Sequence, residues 1–248
     1  MTKWQKFNFR IFVVLFIMAV VFSYIVNSNL FEKSTKPWHM QPFIDEDVLP
    51  ESYEAKYEVL GKDPVGLKFY DSTRIMVEIL VDAWGVPMDE TLLSADFDIF
   101  KGVEHQEYLH VRMANRTKHA EKAELHHRDS NSVYLFGGDS LEYGRNEYVH
   151  ELNFEQSIFC QKCGDDKTFS ELDSLLAVGE KKYIAMTTQD ARDGNRDALR
   201  KTLRQVAEIA KKYPQIYFIV QGTHRPILGA PEVRKQHYAK WVPLVVLN

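Results

Sequence analysis

The amino-acid sequence predicts an α/β fold, in which a mostly parallel sheet is covered by helices on both faces. Nearly continuous apolar runs at residues 75–81 and 216–220 are typical of strands that are buried on both faces. An amphipathic helix over residues 193–212 separates the second run from a shorter strand at residues 183–186. Because strand, helix and strand follow one another in that order, we expect a parallel crossover.

The N-terminal residues indicate a membrane anchor. An apolar run without charged side chains covers residues 11–26, and Lys3, Lys6 and Arg10 come before it. We expect a transmembrane helix over residues 11–30. A cleaved signal peptide is the alternative, but the run is not followed by the small-x-small site that is typical of cleavage.

The charges that flank this span predict its orientation. Basic residues precede the span and acidic residues follow it, which favours a cytoplasmic N-terminus over residues 1–10. The main domain is then extracytoplasmic and is held in the inner membrane by a single span. Residues 31–72 carry several prolines and predict a tether with one short helix around residues 51–60. The main domain is predicted over residues 73–248.

The composition restricts the classes of partner. A chain of 248 residues, of which 45% are hydrophobic, can bury one substantial core, so we expect one main domain. The formal net charge is -4, and no basic tract is interleaved with aromatic residues. Nucleic acid is therefore not an expected partner.

The predicted elements of the main domain place polar residues at the ends of strands. The elements are strands at 75–81, 133–136, 183–186 and 216–220, and helices at 118–127 and 193–212. Each strand is followed by a polar cluster: Asp82 to Gly85, Asp139-Ser140, Thr187 to Gln189, and Gly222 to Arg225. Ligands of open parallel sheets bind beyond the carboxyl ends of the strands, so these clusters predict one shared pocket.

The two cysteines, Cys160 and Cys163, form a lone Cys-x-x-Cys motif that is open to three interpretations. A zinc site needs two further ligands, and none follows at the usual spacing. A thioredoxin-like redox pair lies at the start of a helix, whereas Gly164-Asp165-Asp166 follows this pair. In an oxidising compartment, the interpretation we favour is a structural disulfide between the two cysteines.

Four segments resemble motifs of the sulfatase and alkaline phosphatase superfamily, in particular of its membrane-anchored phosphoethanolamine-transferase-like and sulfatase-like members. The segments are ILVDAWGVP, NRTKHAEKAEL, YLFGGDSLEYGRNEYVHELNFEQSIF, and YFIVQGTHRPILGAP followed by VPLVVLN. They span most of the predicted extracytoplasmic part. The resemblance implies an alkaline-phosphatase-like domain over residues 73–248 that is associated with bacterial cell-surface glycans or lipids.

The resemblance also implies roles for particular residues. Asp82 and His224 are implied to be ligands of Zn²⁺ or a similar divalent ion, and Thr117 to be the nucleophile at the start of a helix. Such an ion lowers the pKa of a hydroxyl, and the amides at a helix start bind phosphate or sulfate oxygens. Ser140 and Arg225 are implied to bind substrate. Without the resemblance, the simpler interpretations are a helix cap for Thr117, a turn cap for Asp82 and a hydrogen-bonded loop residue for His224.

Two positions depart from the pattern of the superfamily. Thr223 stands where relatives carry a metal-binding aspartate, and Gln189 stands where they carry another liganding histidine. A neutral hydroxyl and a neutral amide do not replace those ligands, so the resemblance implies a degenerate metal site or none. Three histidines near the nucleophile position are alternative ligands: His119, His126 and His127.

A second enzyme class shares one motif. Residues Gly138-Asp139-Ser140-Leu141 match the opening block of GDSL-type esterases, in which the serine is the nucleophile. Those enzymes also need a later Gly-x-Asn-Asp and an Asp-x-x-His, and the candidate segments at 194–197 and 222–224 do not fit. The sequence thus leaves three hypotheses: a metal-dependent hydrolase or transferase with a reduced site, a catalytically silent relative that binds a glycan or a partner enzyme, and a serine esterase.

Overall fold

The structure of the chain, a computed structural model, describes residues 15, 16, 18, 48–112, 116–125, 131–138 and 148–248. The chain divides into two units, Met1–Ile44 and Asp45–Asn248. In the first unit, Leu15, Phe16 and Met18 are helical and exposed. Within the described residues, no helix is both long enough and apolar enough to span a bilayer. Most of the predicted anchor, residues 11–30, lies outside the described part of the chain.

The second unit contains a mostly parallel sheet of eight strands. They are β1 (Glu58–Leu60), β2 (Met76–Val81), β3 (His105–Val111), β4 (Ser132–Gly138), β5 (Gln156–Gln161), β6 (Tyr183–Thr187), β7 (Tyr217–Gly222) and β8 (Trp241–Leu247). Their order in the sheet is β1-β3-β8-β7-β2-β6-β4-β5. Strand β8 runs antiparallel to β3 and β7, and the other pairs are parallel. The predicted mostly parallel sheet is confirmed.

The helices of this unit connect the strands. Those that the structure describes are α1 (Glu51–Lys56), α2 (Val65–Lys68), α3 (Glu90–Phe97), α4 (Thr117–Glu124), α5 (Asp165–Val178), α6 (Arg196–Lys212) and α7 (Pro231–Arg234). Short 3-10 turns lie at Asp98–Phe100 and Val149–Leu152. Asn195 caps α6 by accepting hydrogen bonds from the amides of Asp197 and Ala198. Helix α6 lies between β6 and β7, which are both parallel to β2, so the predicted crossover is confirmed.

Both faces of the sheet are covered. Alternate residues of a strand point to opposite faces, so Val77, Ile79 and Val81 of β2 belong to one apolar cluster, and Met76 and Leu80 belong to another. The first cluster also contains buried residues of α1, α3, α5 and α6. The second contains residues of α2 and of the 3-10 turn before β5. These two clusters explain why the central strands read as continuous apolar runs.

The domain begins earlier in the chain than residue 73, the predicted start. Strand β1 pairs with β3, and Leu49, Tyr53 and Tyr57 belong to the core. These residues lie in the segment 31–72 that was expected to be a tether. The short helix expected within it is α1, which enters the core through its tyrosine side chains rather than through an apolar run.

Candidate active site

The carboxyl ends of β2, β6 and β7 meet at one edge of the sheet, where β2 lies between the other two. Thr188 follows β6, and its Oγ1 accepts a hydrogen bond from the amide of Asp82 at 3.1 Å. Thr223 follows β7 and donates from Oγ1 to Asp82 Oδ1 at 2.9 Å. Three of the four polar clusters predicted to share a pocket therefore lie together around Asp82, and the fourth, Asp139-Ser140, lies outside the described residues.

The turn after β2 fixes the direction of the Asp82 carboxylate. Ala83 has a φ of 56°, which lies in the left-handed region that L-residues rarely adopt. Its amide donates hydrogen bonds to Asp82 Oδ1 and to Thr223 Oγ1, each at 3.1 Å. The turn thus adds a second donor to the oxygen that Thr223 already contacts.

Two glycines bring the loop of Asp82 against the loop that follows β7. A Cβ at Gly222 would overlap the carbonyl oxygen of Trp84, so only glycine permits this approach. A Cβ at Gly85 would lie 2.6 Å from Cα of Arg225. The residue before Arg225 is His224, and the close approach of the two loops places it at the site.

Helix α4 brings Thr117 to the same point. Its Oγ1 donates to Asp82 Oδ1 at 2.8 Å and lies 3.3 Å from His224 Nε2. The N-cap residue of α4 is Arg116, so Thr117 is the first residue inside the helix. The simpler interpretation of Thr117 as a helix cap is therefore wrong, and its hydroxyl faces Asp82 and His224 instead.

The hydrogen bond on the far side of the His224 ring determines which ring nitrogen faces Thr117. Nδ1 lies 2.7 Å from the carbonyl oxygen of Arg225. A carbonyl oxygen only accepts, so Nδ1 carries a hydrogen, and Nε2 is the ring nitrogen that faces Thr117. Nε2 also lies 3.4 Å from Asp82 Oδ1, and both of these side chains are buried. Three functional groups therefore converge in a place that is largely shielded from water.

A cavity of about 460 Å³ opens onto this cluster. Besides the three converging residues, its lining has a cationic part and an apolar part: Arg116, Lys118 and Arg192, and Tyr148, Ile227 and Leu228. Lys118 Nζ lies 4.7 Å from the ring centroid of Tyr148, so the two parts touch. These cations were not predicted from the sequence, although two of them flank Thr117 directly. The cavity suits a ligand in which a negatively charged group is joined to an apolar one.

Other residues predicted for the site lie elsewhere or are not described. Arg225 Nη1 donates to the carbonyl oxygen of His237 at 3.4 Å, and Arg225 is not part of the cavity lining. His119 is exposed on α4. Ser140 lies outside the described residues, so its role and the esterase hypothesis stay predictions. Two of the alternative ligands also lie outside them: His126 and His127.

Gln189 lines the cavity, but its side-chain amide is bound to the segment that contains the cysteines. Its Nε2 donates to the carbonyl oxygen of Cys163. In the structure Cys163 forms a disulfide with Cys160, with 5.4 Å between the Cα atoms. Helix α5 begins at Asp165, so the pair does lie between a strand and a helix, and Gly164-Asp165-Asp166 is the start of that helix rather than a reason against one.

The donor set around Asp82 does not fit the metal site that the resemblance implies. Catalytic zinc sites use three protein ligands. Among the residues that the structure describes, no group of three or more His, Cys, Asp or Glu side chains could hold a metal ion. Thr223 supplies a neutral hydroxyl, and Gln189 directs its amide to a backbone carbonyl. Asp82 and His224 are left as a pair of strong donors.

Comparison with known proteins finds solved structures whose fold is similar to that of this chain. No known family model matches the sequence, and no curated protein matches it either. The Streptococcus pyogenes phosphoglycerol transferase GacH, solved in complex with sn-glycerol-1-phosphate, is 11% identical, with a TM-score of 0.51 over 71% of this chain and 68% of that chain. A protein of the alkaline phosphatase superfamily from Vibrio parahaemolyticus is 13% identical, with a TM-score of 0.48 over 71% of this chain. The periplasmic domain of EptC from Escherichia coli is 9% identical, with a TM-score of 0.49 over 71% of this chain and 72% of that chain.

The fold of the second unit therefore resembles that of the phosphoglycerol transferase GacH, which agrees with the resemblance of the four sequence motifs. This chain spans about 60% of the length of the Vibrio protein. At such low identities the likeness concerns the fold alone.

Proposed function

We propose that this chain is a membrane-anchored, extracytoplasmic protein that binds phosphate- or sulfate-ester groups of cell-surface glycans or lipids and has reduced or lost metal-dependent catalysis. One observation carries the proposal. Thr117, Asp82 and His224 converge within 3.4 Å of one another in a cavity that three cationic side chains also line.

The cationic lining favours an oxyanion as the ligand. Arg116, Lys118 and Arg192 bring three positive charges to one cavity. Guanidinium groups bind phosphate and sulfate oxygens in a bidentate manner, and ammonium groups bind them as point charges. The N-terminus of α4 adds the positive end of its dipole beside Thr117. An ester group bound here would have its central atom next to the Thr117 hydroxyl, where the superfamily pattern has its nucleophile.

The hydrogen bonds of Asp82 support the proposal that metal-dependent catalysis is reduced or lost. Its Oδ1 accepts from Thr117, Thr223 and the amide of Ala83, so neutral donors already stabilise the carboxylate. Loss of two strong ligands lowers metal affinity by orders of magnitude, since changes outside the ligand shell alone cost about 10 to 100-fold. We therefore expect little bound zinc and weak or absent turnover of generic phosphate and sulfate esters.

The anchor and the location follow from the N-terminal sequence. The apolar run over residues 11–26 and the basic residues before it favour one span with the main domain outside the cytoplasm. The disulfide between Cys160 and Cys163 is consistent with an oxidising compartment. A domain held there meets cell-surface polymers and lipids.

Calorimetric titration of the full chain with inorganic phosphate and with sulfate tests the proposal. We expect both anions to bind, and we expect Arg192→Gln to weaken binding by roughly tenfold, because a charge-assisted hydrogen bond is lost. Arg204→Gln is the matched control, since Arg204 is exposed on α6 and is not part of the cavity lining. Absence of anion binding, or equal weakening by both substitutions, would refute the proposed site.

A measurement of the metal content tests separately whether metal-dependent catalysis is reduced or lost. Elemental mass spectrometry of the purified full chain should find well below one zinc ion per chain. Thr117→Ala and Thr117→Ser distinguish chemistry from binding, because serine keeps the hydroxyl that alanine removes. Stoichiometric zinc together with ester turnover that Thr117→Ala abolishes and Thr117→Ser retains would show that catalysis is intact.

A further inference from the structure

Helix α4, which carries Thr117 in its first turn, is attached to the sheet by buried carboxylates. Thr117, Glu121 and Glu124 occupy positions i, i+4 and i+7, so they lie on one stripe of the helix. Thr117 reaches the cavity at one end of the stripe, and both glutamates are buried behind it. Buried carboxylates are rare unless they are paired or hydrogen-bonded, so the partners of these two glutamates define where the helix sits.

Glu124 connects the last turn of α4 to helix α2 and to the sheet. Its Oε2 accepts hydrogen bonds from the amide of Val65 at 2.8 Å and from Gln221 Nε2 at 3.2 Å. Its Oε1 lies 3.3 Å from His110 Nε2 and 3.4 Å from Arg112 Nη1. Burial acts to raise the pKa of Glu124, but the charge of Arg112 and the hydrogen bonds outweigh it and lower that pKa to about 2. Glu124 is therefore a buried anion with fixed partners.

Glu121 connects the middle of α4 to the sheet and to the cavity. Its Oε1 accepts a hydrogen bond from the Tyr134 hydroxyl of β4 at 2.8 Å, and its Oε2 accepts one from the Tyr148 hydroxyl. The Tyr134 hydroxyl also lies 2.9 Å from Thr187 Oγ1 at the end of β6. Tyr148 lines the cavity. One carboxylate thus contacts both a central strand and the wall of the site.

These contacts are directional, unlike the apolar packing that usually holds a helix on a sheet. Hydrogen bonds weaken steeply when their distance or angle changes, whereas apolar side chains tolerate small sliding movements. Movement of α4 along its axis would break the contacts of both glutamates and carry the Thr117 hydroxyl away from its partners by the same distance. Displacements of about 1 Å at a reacting group can cost two orders of magnitude in rate.

We infer that Glu121 and Glu124 are positioning residues, which hold α4 so that the Thr117 hydroxyl remains on Asp82 and His224. The inference rests on the proposed role of Thr117 in the cavity. It assigns to the buried carboxylates a task that neither the sequence motifs nor the cavity lining contains.

The His224 ring gives a readout that needs no ligand, because its Nε2 lies 3.3 Å from Thr117 Oγ1. In the full chain labelled with ¹⁵N-histidine, and with the signal assigned by His224→Gln, Glu121→Gln and Glu124→Gln should each shift the ring ¹⁵N resonances of His224. Tyr134→Phe removes a single hydroxyl donor from Glu121 without changing any charge, and a shift in that variant cannot arise from a lost charge. Circular dichroism confirms that each variant remains folded.

Glu78→Gln is the matched control, because Glu78 is equally buried near Glu124 but lies on β2 rather than on α4. It should leave the His224 signals unchanged. Unchanged signals in folded Glu121→Gln, Glu124→Gln and Tyr134→Phe, or equal shifts in Glu78→Gln, would overturn the inference. The ring signals decide the positioning role even in a chain that fails to bind phosphate, and that failure would count against the proposed function alone.

Discussion

The hydroxyl of Thr223 donates a hydrogen bond to Asp82, with 2.9 Å between Oγ1 and Oδ1. Thr223 is fully buried and Asp82 is nearly so, which means that water does not compete for this contact. An aspartate at position 223, as the superfamily pattern has it, would place a second carboxylate against Asp82. Two buried carboxylates in contact are unfavourable unless a cation lies between them. The threonine therefore makes the site stable without a metal.

Thr223→Asp is expected to make the stability of the chain depend on zinc. Without metal, the free energy of unfolding should fall by about 2 to 4 kcal/mol, because an unpaired carboxylate is buried next to Asp82. Zinc should restore much of that loss by neutralising the pair. Thermal denaturation with and without zinc measures both effects. Thr223→Ser, which keeps the hydroxyl, should show neither effect, and a zinc-independent loss in Thr223→Asp would contradict this account.

Adding Gln189→His to Thr223→Asp completes the ligand pattern of the superfamily. We expect the zinc content to rise towards stoichiometric occupancy, because two strong ligands are restored. Elemental mass spectrometry measures this rise. Any turnover of phosphate or sulfate esters that appears in the double variant should disappear when Thr117→Ala is added. A double variant that still binds no zinc would indicate that the loops cannot adopt the ligand geometry.

The sequence predicted the centre of the site better than its walls. Asp82 and His224 were predictable because each follows a strand that reads as an apolar run. Thr117 was identified by resemblance alone, since helical periodicity says nothing about what the first residue of a helix faces. Arg192 lies in the loop of the predicted cluster Thr187 to Gln189 but beyond its end, and the sequence pattern does not show how far along that loop the cavity lining extends.

The strands of the sheet, too, could be predicted from the sequence only where their residues form an apolar run. The central strand β2 and its neighbours are buried on both faces, and their apolar runs were found from the sequence. Strand β5 lies at the edge of the sheet, and its partly exposed residues hide the pattern. Strand β3 was missed because its polar residue His110 is buried, with its Nε2 3.3 Å from Oε1 of Glu124. Periodicity cannot detect a polar residue whose partner is distant in the sequence.

The disulfide should be broken by a reductant but not by a denaturant alone. Alkylation of the native chain should label neither Cys160 nor Cys163 until reductant is added, as the structure places them in a disulfide. Replacing both by serine should lower the free energy of unfolding by roughly 2 kcal/mol, the amount expected for such a short loop. Urea denaturation measures the loss. Two thiols that alkylate freely in the native chain would reject the bond.

The orientation of the N-terminal anchor can be measured with a reporter. An enzyme that is active only outside the cytoplasm should be active when it is fused after Asn248, because basic residues precede the predicted span. The same fusion without residues 1–30 should be inactive. Activity of a cytoplasm-specific reporter instead would reverse the orientation. A mature chain that begins near Asn27 would show that the segment is a cleaved signal peptide.

The raised pKa of Glu78 predicts that the free energy of unfolding falls as the pH rises from about 4.5 to about 8. Burial raises the pKa of this carboxyl from 4.5 to about 8, and the nearby charge of Glu124 adds to the rise. Between these two values the native state keeps a proton that the unfolded chain has lost. The free energy of unfolding should therefore decrease as the pH rises through this window, by at most about 1.4 kcal/mol per pH unit, and level off above it.

Glu78→Gln removes the titrating proton and keeps a side-chain amide that can form hydrogen bonds with Tyr183 and Gln221. Measured by urea denaturation, the variant should gain stability relative to the unmodified chain as the pH rises from 5 to about 8, because only the unmodified chain must then either keep a proton or bury a charge. Glu171→Gln, at an exposed position of α5, should follow the unmodified chain at every pH. The window between pH 7 and 8 is the most diagnostic, since the pKa of Asp165, another carboxyl whose pKa burial raises, reaches only about 6. A constant difference between Glu78→Gln and the unmodified chain across this range would mean that Glu78 is ionised in the folded protein.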